Sequence, residues 1–114
     1  MSAAAVSRSE PLTPAAFHVL LALSGGPLHG YGVMRRVEDE SGIEMGPGTV
    51  YGTLNRLEAR GWVEDGGIDE SDPRRGCRFV LTAAGRKALA AEAARIDRLA
   101  ELARERRLIP GARR

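Results

Sequence analysis

This 114-residue chain is poor in the residues that do chemistry. Its single cysteine, Cys77, excludes an intramolecular disulfide and any multi-cysteine metal site. Two histidines, His18 and His29, do not make a ligand cluster, and the scattered acids add no convergent titratable set of the kind an enzyme needs. No apolar run is long enough to span a bilayer. The amino terminus lacks the charged-then-apolar pattern of a signal peptide. These absences lead to the expectation of a cytoplasmic, non-enzymatic protein without metal or cofactor. Lys87 is the only lysine, and aromatic residues make up 4%. Net charge is only +2, and it is unevenly placed. Residues 1–60 hold 5 basic and 6 acidic side chains, residues 61–82 hold 3 and 5, and residues 83–114 hold 9 and 4. The positive excess therefore sits at the carboxy end, which argues against a simple basic patch as a nucleic-acid footprint.

What is present is a run of well-punctuated helices. Residues 1–12 have no period and read as a loose tail. Thr13-Pro14 is a helix start, with Thr13 as N-cap and Pro14 in the first position. The helix that follows is apolar nearly all round, including Phe17, Leu20 and Leu21. A domain this small has few elements to cover it, so we expect it to pack on its own domain and on a second subunit. Ser24-Gly25-Gly26-Pro27 stops it. A second helix is expected from Leu28-His29-Gly30-Tyr31 to Ser41-Gly42, with Tyr31, Val33, Met34 and Val37 inward and Arg35 and Arg36 outward. Helix, short turn, helix is the helix-turn-helix arrangement.

The third helix is the organising one. Pro47 opens it and Gly61 closes it. Val50, Leu54 and Leu57 form its apolar stripe. Its other face carries Gly48, Gly52, Asn55 and Ala59, flanked by Tyr51 and Arg56. That face is small and polar without strong charge, as suits a helix pressed against another surface. The Thr49 hydroxyl and free backbone N–H groups at its start suit a phosphate. The pattern reads either as a recognition helix in a DNA major groove or as a core helix with a bland outside.

Trp62-Val63 and Ile68, then Cys77 to Leu81, read as two antiparallel strands around a turn at Asp69-Glu70-Ser71-Asp72-Pro73. Arg74 and Arg75 in that loop read either as backbone contacts of a wing or as partners of the neighbouring acids. Thr82 caps a last helix, from Ala83 to about Leu108, rich in strong helix formers. Leu89, Ile96, Leu99 and Ala103 approximate a heptad seam, and Arg98 and Arg104 stand three residues from Glu101. A helix this long after the wing is expected to meet its own copy. The expected organisation is a tail (1–12), a winged helix-turn-helix (13–82), a dimerisation helix (83–109) and a tail (110–114). The fold class is mainly α with a small β-wing.

The ordered set His29-Gly30-Tyr31-Gly32-Val33, Gly48-Thr49-Val50-Tyr51, Leu54 to Val63, Arg74-Arg75 and Phe79 to Gly85 resembles the PadR family of bacterial transcription regulators. The similarity covers about residues 13 to 90. It is nearest to the small members, which have one final helix. The resemblance implies a winged helix-turn-helix homodimer built through the first and last helices, which places Phe17, Leu20, Leu21, Leu89, Ile96, Leu99 and Ala103 at the dimer interface. It implies double-stranded operator DNA as partner, repression of a nearby operon, and relief by a small molecule. By position, His29 and Tyr31 would lie by the DNA backbone. Gly48, Thr49, Tyr51, Asn55 and Arg56 would lie on the recognition helix, and Arg74 and Arg75 on the wing. The chain departs from the family in three places. Gly52 stands where the family commonly has proline, and Phe79 where tyrosine is usual. The last helix has no aromatic residue to stack flat drugs. The competing reading is a winged-helix protein-interaction module that never touches nucleic acid.

Overall fold

A computed structural model describes residues 11–72 and 76–111. Five segments of it form the domain's frame: α1 (Pro14–Leu23), β1 (Leu28–His29), α2 (Gly30–Ser41), α3 (Pro47–Ala59) and β2 (Val63–Ile68). Two more complete it, β3 (Cys77–Leu81) and α4 (Ala83–Glu105). The fold is mostly helical with one small antiparallel sheet, the winged helix-turn-helix arrangement read from the sequence.

Local chemistry sets the helix ends. Thr13 Oγ1 accepts the Ala16 N–H at 3.1 Å, and Pro14 occupies the first turn of α1. α2 ends on Gly42, whose φ of +76° is the left-handed conformation that lets its N–H reach the Glu38 carbonyl. Thr82 Oγ1 accepts the Gly85 N–H at 3.0 Å and donates to the Gly61 carbonyl at 2.7 Å, which ties the start of α4 to the end of α3. α4 stops at Glu105, three residues short of the expected Leu108. There Arg107 N–H bonds the Arg104 carbonyl and Leu108 N–H bonds the Ala103 carbonyl, with Arg107 at φ +64°. This is a Schellman ending with arginine where glycine is usual.

The sheet corrects one boundary. Leu28 and His29, expected to begin α2, are instead a two-residue strand that pairs with β3, Leu28 opposite Phe79 and His29 opposite Arg78. The strand order is β1-β3-β2. β2 runs in register with β3 from Val63–Leu81 to Asp65–Phe79, then bulges at Gly66-Gly67 before Ile68 meets Cys77. Only Val63 of β2 is buried, so the hairpin projects from the body as a wing.

The core lies where α1, α2 and α3 meet and β3 closes one side. Val19, Leu20, Val33, Val50 and Leu54 are completely enclosed, with Leu23, Val37, Leu57 and Val63 almost so. Each such side chain contributes about 1.5–3 kcal/mol through loss of apolar surface to water. α4 joins this core only through its first three turns, at Gly85, Leu89 and Glu92. Its remaining turns extend past the body, which gives the molecule a long axis of 50 Å.

Candidate nucleic-acid interface

α3 turns Val50, Thr53, Leu54 and Leu57 inward. Outward lie Gly48, Thr49, Tyr51 and Asn55, all exposed, with Gly52 half-buried between them. The helix is capped by Gly46, which supplies no side-chain acceptor, and its first turn holds no acid. Pro47 has no N–H, so the donors left at this end are the backbone groups of Gly48 and Thr49. A Cβ on Gly48 would meet nothing within 4 Å, and one on Gly52 only the Arg56 guanidinium. The face is open, flat and almost uncharged.

Tyr51 marks one edge of this face. Its ring stands edge-on to Phe79 of β3, centroids 6.3 Å apart. Its phenol crosses the start of α2, where a Cβ on Gly30 would overlap it. Glycine at position 30 is thus what allows the tyrosine to bridge helix and wing while staying 44% exposed. Arg56 marks the other edge and donates to the Thr53 hydroxyl at 3.3 Å.

Tyr31 lies on the outer surface of α2, 54% exposed. Arg35, one turn on, donates to its hydroxyl at 3.4 Å and lies 5.9 Å from the ring centre. That hydrogen bond, with the nearby Asp39 and Glu38 charges, holds the guanidinium above its ordinary pKa. Tyr31, expected on the inner side of α2, is turned outward, where Arg35, four residues on, shares its face and joins it as a candidate contact.

His29 is not on this surface. It is buried at the base of the wing, and its Nε2 lies 3.8 Å from the Asp69 carboxylate without a hydrogen-bond partner. His29, expected by the DNA backbone, is thus paired with Arg78 of β3 and 8% exposed. Asp69 is held below the usual carboxylate range by the Ser71 hydroxyl and Ser71 N–H, and then by the Arg78 and His29 charges. Arg74 and Arg75 lie outside the described residues.

The expected dimer residues divide. Leu21, Ile96 and Leu99 are 38%, 39% and 49% exposed. Phe17 and Ala103 are half-buried. Leu20 and Leu89 are enclosed by their own subunit, at 0% and 6% exposure. Both point into the α1–α3 core, which explains their apolarity without a partner. Leu102, missed in the heptad reading, is 38% exposed three residues after Leu99. Of the two arginines set beside Glu101, Arg104 pairs with it at 2.9 Å.

Among the described residues no group of three His, Cys, Asp or Glu could hold a metal ion. No helix among them is long and apolar enough to cross a membrane.

Comparison with known proteins places this geometry. The model of the transcriptional regulator PadR-like family matches residues 19–91. A curated relative, an uncharacterised 37.1 kDa protein in transposon TN4556 of Streptomyces fradiae, is 46% identical over 81 residues. The match takes in 71% of this chain but only 22% of that protein, so the chain spans about a fifth of its length. Among solved structures, a PadR family transcription regulator from Clostridium difficile R20291 superposes with a TM-score of 0.69 at 19% identity, over 82% of this chain and 97% of that one. RosR of H. salinarum superposes with a TM-score of 0.63 at 26% identity, over 73% and 72%.

Proposed function

The chain belongs to the PadR-like family of transcriptional regulators, and on that premise we propose that it is a sequence-specific DNA-binding repressor that works as a homodimer and is released by a small molecule. The observation that carries this reading is the outward face of α3. Gly48, Gly52 and Asn55 let a backbone-wide surface approach, and the uncapped start of the helix offers N–H donors to a phosphate. In a major groove, Asn55 can pair bidentately with adenine, with Tyr51 and Arg56 on the flanks. Tyr31 and Arg35 on α2 are suited to the sugar–phosphate backbone, as are Arg74 and Arg75 in the wing loop. Leu21, Ile96, Leu99 and Leu102 supply the apolar surface for pairing, with Phe17 and Ala103 beside them. Two copies of α3 would then enter successive major grooves about 34–36 Å apart.

The test is a gel shift against the DNA upstream of the chain's own gene, repeated at rising salt. Binding should be specific, and log K should fall with log salt by about 0.9 for each phosphate neutralised. Arg75→Gln should reduce that slope by about one unit. A folded protein that leaves this DNA unshifted would favour the protein-interaction module, which the modest net charge of residues 13–82, with 7 basic and 10 acidic side chains, also suits.

A further inference from the structure

A cavity of about 200 Å³ opens between the start of α1 and the end of α3. Its floor is apolar, formed by Leu12, Ala16 and Leu57, and its rim carries Arg56, Arg60 and Trp62. Among the described residues no carboxylate lines it. Among the described residues neither arginine has an acidic partner within ion-pair distance. Arg56 spends one bond on the Thr53 hydroxyl. Arg60 lies over the Trp62 indole, Cζ 4.7 Å from the ring centre. Two guanidiniums without counter-charge at the rim of an apolar-floored hollow match an anion that carries an apolar body.

We infer that this cavity is the effector site, and that its ligand is a small monocarboxylate whose acid group bridges Arg56 and Arg60 while its apolar body rests on Ala16 and Leu57. The inference rests on the proposed release by a small molecule, and it gives that ligand a place and a chemical class. The volume lies below the roughly 300–1,000 Å³ of pockets that hold drug-sized ligands, so the acid carries no more than about one ring. The site also explains how occupancy would reach the DNA. The Arg56 Nη1 lies 3.6 Å from where a Cβ on Gly52 would stand, so the same guanidinium borders the reading face. A carboxylate that engages it withdraws a cation from the DNA side. Ligand and phosphate compete for one side chain, and no change of fold is needed.

Trp62 is the chain's only tryptophan, so its fluorescence reports the cavity directly. The full chain, without DNA, is titrated with benzoate and with benzamide, which has the same shape and no charge. Benzoate should give a saturable change, and benzamide one at least about tenfold weaker. Arg56→Gln should weaken benzoate about tenfold, and Arg60→Gln, followed by calorimetry because it alters the indole's own environment, should do the same. Both arginines are exposed, and unchanged circular dichroism checks that the variants fold. No saturable change at millimolar benzoate, equal binding of benzamide, or arginine variants that bind as well as the native chain would overturn the site. In a second arm, benzoate should lower affinity for the upstream DNA in step with occupancy. Independent binding of the two would overturn the competition. Benzoate binding with no DNA binding at all would remove the regulatory reading and leave the anion site standing.

Discussion

α3 and α4 each leave one face uncovered, and the two faces are opposite in kind. On α3 the open positions include glycine, threonine, tyrosine and asparagine, with Arg56 at one edge; on the outer half of α4 they include Ile96, Leu99 and Leu102. The first surface loses little by staying wet and allows a close approach. The second exposes apolar area that water penalises by about 25 cal/mol per Å². Exposure alone therefore does not identify a functional surface. The chemistry of what is exposed separates a face for a hydrated polyanion from one for a dry partner.

The contrast can be broken from either side. The largest effect is expected for Leu99→Asp, which puts a charge on the apolar face without touching the core. Sedimentation should show single subunits, and operator affinity should fall by about 10²–10⁴, the advantage lost when two linked sites act singly. If the native chain is already a lone subunit, the apolar face of α4 needs another occupant. Next comes Gly85→Val at the joint of the two helices. A Cβ there would overlap the Trp62 carbonyl, so urea unfolding should show a loss of roughly 1–3 kcal/mol, the cost of overpacking. Asn55→Ala should weaken operator binding by about 1–3 kcal/mol with stability unchanged to within about 0.5 kcal/mol. A fall in melting temperature instead would mean that Asn55 supports the fold.

The smallest expected effect concerns pH. Glu92 is buried, receives two bonds from Arg95 at 3.1 and 2.6 Å, and is held below the ordinary carboxylate range by that partner and by the Leu12 N–H. A depressed acid stabilises the fold fully above its unfolded pKa, and that share is lost as pH falls through the lower folded value. Between pH 7 and pH 3 the native chain should therefore lose more stability than Glu92→Gln. Because Arg95 is 37% exposed, the difference should be on the order of 1 kcal/mol or less. Equal acid sensitivity of the two proteins would remove this pair from the account.

Much of the fold could be read from residues that act on their neighbours. Thr13 with Pro14, Gly42, Pro47 and Thr82 each set a helix end through bonds or torsions within a few positions, and such signals are written locally. β1 could not be read this way. Two residues have no period, and the strand exists only because Phe79 and Arg78, about fifty positions on, complete it. The burial of His29 follows from the same pairing. Leu20 and Leu89 show a second limit. Apolarity says that a side chain will be covered, but whether its own subunit or another covers it depends on packing that no periodicity encodes. The surface of α3 was legible because small residues on an amphipathic helix are themselves unusual, whereas the cavity beside Arg56 joins segments about forty positions apart.

The Thr82 hydroxyl bridges Gly61, just past the end of α3, to the first turn of α4, and Gly85 sits hard against the Trp62 backbone. The start of α4 is therefore tied to the chain that leaves α3. If copies associate through α4, the distance between their α3 segments is decided within each polypeptide before the copies ever meet. An operator whose half-sites are spaced otherwise would have to twist or bend to fit, so spacing, as well as base sequence, would tell a true site from a near match.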